Sequence, residues 1–167
     1  MQRKYLEIIA AGTPDLKAPV MNELKRPLSK KGVDQVLGLL EELKEKDFLR
    51  PELILCSPCL YVCQTIDLLH EVLKGADILC KDGLYAAPDY RILEMINSLD
   101  DILSRVMIVG ELPGLKQFLG YVCAQSAQNK LKSGRMVQLA LMPNESWHDF
   151  GCKHIESIHP LKTIKPF

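Results

Sequence analysis

Leu6-Glu7-Ile8-Ile9-Ala10-Ala11-Gly12-Thr13 is the stretch that most limits what this chain can become, because it reads as a short apolar strand running into a loop of small residues. A strand apolar on both faces suits the interior of a sheet covered on both sides. In a parallel sheet of that kind, chemistry is presented at the carboxyl ends of the strands. Further short apolar runs at 51–56, 76–80 and 105–109 alternate with segments of helical period. That alternation predicts an α/β fold, a three-layer α/β/α sandwich whose mostly parallel sheet has about six strands. The last two runs, 134–141 and 153–158, have no helix between them and predict an antiparallel edge.

The 167 residues, 47% hydrophobic and 25% charged, suffice for one core, so a single domain over 1–167 is expected. Twenty-one basic and twenty-one acidic side chains leave no net charge. No global field therefore favours nucleic acid or an anionic membrane, and neither is expected as a partner. Met1-Gln2-Arg3-Lys4 runs directly into the first strand, whose apolar part is too brief for a secretory leader, and no apolar run approaches a membrane span. A cytoplasmic protein with six reduced cysteines is the expectation.

Pro14, Pro19 and Pro27 predict an irregular but constrained loop after the first strand. Ser29 is placed to cap a helix whose apolar face is Val33, Val36, Leu37, Leu40 and Leu43. Its other face, with Glu41, Glu42, Lys44, Glu45 and Lys46, reads as solvated, and Glu42 and Lys46 stand in the favourable i,i+4 order. Ser57 and Pro58 predict the start of a second helix running to Lys74, with Leu60, Ile66, Leu69, Val72 and Leu73 inward and Gly75 as its stop. Asp89 predicts the cap of a short helix over 89–99, and Pro113 opens another with Leu115, Phe118, Leu119 and Val122 inward. Trp147 and Phe150 are expected to close one end of the core.

Taken in order, Ile8-Ile9-Ala10-Ala11-Gly12, Arg26-Pro27-Leu28-Ser29-Lys30-Lys31-Gly32, Ser57-Pro58-Cys59-Leu60-Tyr61 and Val109-Gly110-Glu111-Leu112-Pro113-Gly114 resemble the loop punctuation of the histidine phosphatase superfamily, whose fold is phosphoglycerate mutase-like. The SixA-like phosphohistidine phosphatases give the nearest match, over residues 6–119. Enzymes of that family carry Arg-His-Gly after strand one, Ser-Pro-x-x-Arg after strand two, and Gly-His or Ser-His after a later strand. The resemblance implies that the first-strand histidine attacks phosphorus while two arginines and the second histidine hold the phosphoryl oxygens. Here those positions are Ala11 for the nucleophile, Ala10 and Tyr61 for the arginines, and Glu111 for the second histidine.

A covalent mechanism requires a side-chain nucleophile, and Ala11 offers a methyl group. If each lost charged hydrogen bond is worth ~1.5–3 kcal/mol, the missing contacts remove at least roughly 6 kcal/mol of oxyanion stabilisation. That is about four orders of magnitude in affinity, before the repulsion of a carboxylate at position 111. The resemblance therefore implies a pseudophosphatase acting as a binding or regulatory module for a protein or small-molecule partner. Gly12, Arg26, Ser57, Tyr61 and Glu111 are its candidate ligand-binding residues. Arg26 is the one basic residue expected near the former phosphate site, and an Arg26–Glu111 ion pair is expected to close the cleft on itself.

Two readings compete with this one. A hydrolase could have moved its nucleophile to a cysteine or to one of His148, His154 and His159, which fall near Trp147 and Phe150. Alternatively, Cys56-x2-Cys59-x3-Cys63 could form a metal or redox module, although a closed zinc site needs four ligands and His70 lies two turns beyond Cys63. No metal or cofactor is expected.

Overall fold

The computed structural model describes residues 3–123, 125–151 and 155–160. Among them, β1 (Tyr5–Ala10), β2 (Leu53–Cys56), β3 (Asp77–Cys80), β4 (Arg105–Gly110), β5 (Arg135–Leu141) and β6 (Ile155–Pro160) form one sheet in the order β3-β2-β4-β1-β5-β6. β1, β2, β3 and β4 pair in parallel, whereas β5 runs antiparallel to β1 and β6 antiparallel to β5. The expected mixed sheet with an antiparallel edge is what the chain forms; the first two residues of the predicted last strand, and with them His154, lie outside the described residues.

The described α-helices are α1 (Lys30–Glu45), α2 (Leu60–Leu68), α3 (His70–Leu73), α4 (Asp89–Asn97), α5 (Gly114–Val122) and α6 (Gln125–Gln128), with short 3-10 turns at Glu23–Lys25, Asp82–Leu84 and Trp147–Asp149. Successive residues of a strand face opposite sides of its sheet. Leu6, Ile8 and Ala10 accordingly join Val106, Ile108, Ile92, Phe118, Trp147 and Phe150 in one buried cluster. Ile9 and Ala11 join Val36, Leu43, Val62, Met107 and Val109 in the other. Two cores on one sheet explain why β4 and, apart from Glu7, β1 place apolar residues on both faces. Trp147 closes its end of the core with its indole N–H donated to the Leu103 carbonyl at 2.8 Å.

Ser29 caps α1 as expected, its hydroxyl accepting from Gly32 N at 3.0 Å. The inward face differs from the periodic reading: Leu39 is buried and Leu37 is 42% exposed. Glu42, expected in solvent beside Lys46, is buried and accepts from Arg135 Nη1 at 2.5 Å. That partner is 93 residues away, beyond the reach of helical periodicity.

The second helix begins later than Ser57 and Pro58 predict. Cys59 is its cap position, with extended backbone and no side-chain capping bond, and Leu60 is exposed. The cause is competition from neighbouring loops: the Ser57 hydroxyl donates to Glu111, and Tyr61 N donates to the Arg26 carbonyl at 3.1 Å. The helix also breaks at Leu69 instead of running unbroken to Lys74. At α4, Pro88 and not Asp89 holds the cap position, and Pro113 holds that position at α5.

Candidate functional site

The loops leaving β1, β2 and β4 converge. Ala10 pairs in register with Gly110, and Ala11 N donates to the Gly110 carbonyl at 2.9 Å, so β1 and the residue before Glu111 leave the sheet side by side. Ser57 N donates to the Val109 carbonyl at 3.2 Å, which brings the loop after β2 against the same strand end. Beside this junction lies a cleft of about 570 Å³ lined by residues of four loops, among them Leu16, Glu23, Arg26, Cys59, Tyr61, Tyr85, Ala86, Glu111, Leu112, Pro113 and Gln117.

Arg26, Tyr61 and Glu111 line this cleft, whereas Ala10, Ala11, Gly12 and Ser57 do not. Ala10 and Ser57 are fully buried and Ala11 is 5% exposed. Gly12 packs on α1 and not on the cleft. A Cβ there would stand 2.6 Å from the Gly32 carbonyl oxygen and 2.9 Å from Val36, a clash that explains the glycine without a ligand. Its N–H is donated to the buried Thr65 hydroxyl at 3.2 Å, which in turn donates to the Tyr61 carbonyl at 2.8 Å.

The Arg26–Glu111 ion pair does not form. Arg26 Nε donates to Glu23 Oε2 at 2.8 Å, Nη2 donates to Glu23 Oε1, and Nη1 donates to the Asp15 carbonyl at 2.7 Å. Glu23 holds the Arg26 proton more tightly than usual, and Arg26 in turn lowers the Glu23 carboxyl below its usual range. A 3-10 turn at Glu23–Lys25, which the three prolines do not signal, brings Glu23 and Arg26 together. The signal that could have found this pair is its i,i+3 spacing.

Glu111 is held by neutral donors instead. Its Oε1 accepts from the Ser57 hydroxyl at 2.7 Å and its Oε2 from Ala86 N at 2.9 Å. Ala86 has a φ of 47°, in the left-handed region that side chains seldom adopt, so Glu111 fastens a loop with a sterically disfavoured turn. The sequence gives no hint of Ala86.

The Cys59 thiol and the Tyr61 phenol of the cleft are protonated at neutral pH. Burial, then contact with the Glu111 carboxylate, pushes the Cys59 thiol up to about 12. Burial and the charges of Glu111, Cys59, Tyr85 and Glu23 raise the Tyr61 phenol well above its ordinary value. Cys56 lies at the end of β2, in register with Cys80, and burial followed by the neighbouring Cys80 and Cys63 pushes its thiol up to about 12. Burial likewise raises Cys63. Among the described residues no group of three or more His, Cys, Asp or Glu side chains is arranged to hold a metal ion. His148 contacts the Asn97 carbonyl at 2.8 Å and His159 the Ser157 hydroxyl at 2.9 Å, and neither lines the cleft.

No protein-family model and no curated protein sequence matches the chain. Solved structures do. A protein from Nakamurella multipartitia named for phosphohistidine phosphatase SixA superposes with a TM-score of 0.76 at 17% identity, covering 97% of this chain and 99% of its own. The chain has the SixA fold. A second protein with that name, from Agrobacterium tumefaciens, gives a TM-score of 0.72 at 20% identity over 84% of this chain and 98% of its own. The protein histidine phosphatase SixA complexed with tungstate gives 0.72 at 17% identity over 94% and 97%. The SixA fold is thus shared over 84% to 97% of this chain, the phosphoglycerate mutase-like α/β architecture expected from the sequence. No described helix is long and apolar enough to cross a membrane.

Proposed function

We propose that this chain is a SixA-fold pseudophosphatase: a binding or regulatory module that has lost phosphohistidine phosphatase chemistry. The observation that carries the reading is that Ala11 and Glu111 directly follow Ala10 and Gly110, which pair in register at one strand junction. Alanine stands where the family's histidine nucleophile would follow β1 and a carboxylate follows β4, so the phosphohistidine intermediate has no carrier and the cleft repels an oxyanion. Glu111 also takes up two donors, the Ser57 hydroxyl and the Ala86 N–H, that an anionic ligand would otherwise use. Its partner, a protein or a small molecule, and its cytoplasmic location belong to the same proposal.

The rival reading, a relocated nucleophile, draws little support. Cys59 faces the cleft, but attack requires the thiolate, and burial beside Glu111 keeps that thiol protonated. Titration with orthovanadate tests the proposal. The expected result is no saturable binding up to millimolar concentration, and micromolar affinity would overturn the reading.

A further inference from the structure

Each nitrogen of the Arg26 guanidinium is already donating, two of them to Glu23 and one to the Asp15 carbonyl. Glu111 receives neutral donors only, and among the described residues no cation forms an ion pair with it. Hydrogen bonds from a hydroxyl and an amide stabilise a carboxylate without cancelling its charge. The charged side chains that line the cleft are thus two carboxylates, Glu23 and Glu111, against one guanidinium, and the guanidinium is committed to Glu23.

The remaining walls suit an organic cation. Tyr61, Tyr85, Glu23 and Glu111 all line the cleft, so two aromatic rings and two carboxylates border one space. Leu112 and Pro113 extend an apolar wall from it. Glu111 accepts from the Ser57 hydroxyl, the Ala86 N–H and the Cys59 thiol, and the four lone pairs of its two oxygens leave one to offer. Aromatic rings attract cations through their faces.

We infer that the cleft binds the ammonium or guanidinium end of an amphipathic ligand, with the charged head on Glu111 beside Tyr61 and Tyr85 and the apolar body along Leu112 and Pro113. The inference rests on the loss of phosphate chemistry proposed above. The head group has two sources, a lysine or arginine side chain of a partner polypeptide or a free arylalkyl amine, and both present the same chemistry.

Titration of the full chain by NMR, at low salt, tests it with four probes: phenethylammonium, its neutral counterpart 2-phenylethanol, Nα-acetyl-lysine amide and inorganic phosphate. The ammonium probe should bind about tenfold or more tightly than the alcohol, with shifts at Tyr61, Tyr85 and Ala86, and should weaken as salt is added. Glu111→Gln should abolish the preference for the cation while preserving the fold, because a glutamine can accept from Ala86 N and donate to a rotated Ser57 hydroxyl. Should that variant fail to fold, Tyr85→Leu at a half-exposed position should weaken the ammonium probe several-fold and leave the alcohol nearly unchanged. Tighter binding of the lysine amide would assign the polypeptide source, and tighter binding of phenethylammonium the free amine. Equal affinity for ammonium and alcohol, or a preference untouched by Glu111→Gln, overturns this inference alone. Saturable micromolar binding of inorganic phosphate overturns the reading beneath it.

Discussion

The Ser57 hydroxyl donates to Glu111 Oε1 at 2.7 Å and ties the loop after β2 to the loop after β4, with Ala86 N bound to the other carboxylate oxygen at 2.9 Å. This contact takes the place of the Arg26–Glu111 ion pair expected from charge, and it sets the first prediction. Glu111→Ala should cost roughly 1–3 kcal/mol in denaturant unfolding, because a buried hydroxyl and a backbone N–H in a disfavoured turn lose their acceptor. A double-mutant cycle with Ser57→Ala should show coupling, and additivity within about 0.3–0.5 kcal/mol would mean that the two residues do not interact energetically.

The same cycle run with Arg26→Ala and Glu111→Gln should be additive, since Arg26 is bound to Glu23 and Asp15. A clear coupling between them would restore the self-paired cleft and contradict the geometry.

Glu7 gives a pH dependence. It is fully buried in β1, and burial raises its carboxyl to about 7, against the opposing pull of Arg105 and the Gln138 amide. One carboxylate oxygen lacks a described partner. A carboxyl raised from its usual 4.5 binds its proton more tightly folded than unfolded. Its contribution is therefore complete below about pH 4.5 and is lost as pH rises towards 7. Asp101 acts in a separate window with the opposite sign. The Ser146 hydroxyl, then Trp147 N, hold its carboxyl near 2, so its stabilisation is lost as pH falls below 3.8. Denaturation midpoints measured from pH 4.5 to 7.5 should fall for the native chain, and Glu7→Gln should flatten that slope.

The parts of the fold that were legible in the sequence are those set by local pattern: Ile8-Ile9 in a strand buried on both faces, the Ser29 cap, and the stripe Leu115, Phe118, Leu119 and Val122. Contacts between distant segments were not. Helical periodicity put Glu42 in water because it cannot register Arg135, and the cap preference of Ser57 was outweighed by a carboxylate 54 residues later. In the cleft, Tyr61 and Glu111 could be assigned from loop order alone. The choice of partner for Arg26 depended on a 3-10 turn that compacts the proline loop, and Ala86 reached Glu111 through backbone, which leaves no mark on residue type.

Rebuilding the motif tests whether the frame survives. Ala10→Arg, Ala11→His, Tyr61→Arg and Glu111→His together should create measurable vanadate affinity, and versions missing any one change should do far worse, because groups acting as one unit are strongly non-additive. A folded quadruple variant without vanadate affinity would show that the cleft is no longer an anion receptor in outline.

The most direct test of lost catalysis is release of phosphate from phosphohistidine by the purified native chain, measured beside an identically prepared Ala11→Gly variant. Both should match a mock preparation, since neither position 11 nor Glu111 can form a phosphohistidine intermediate. Turnover that scales with protein concentration and is abolished by replacing a single cysteine or histidine would contradict it.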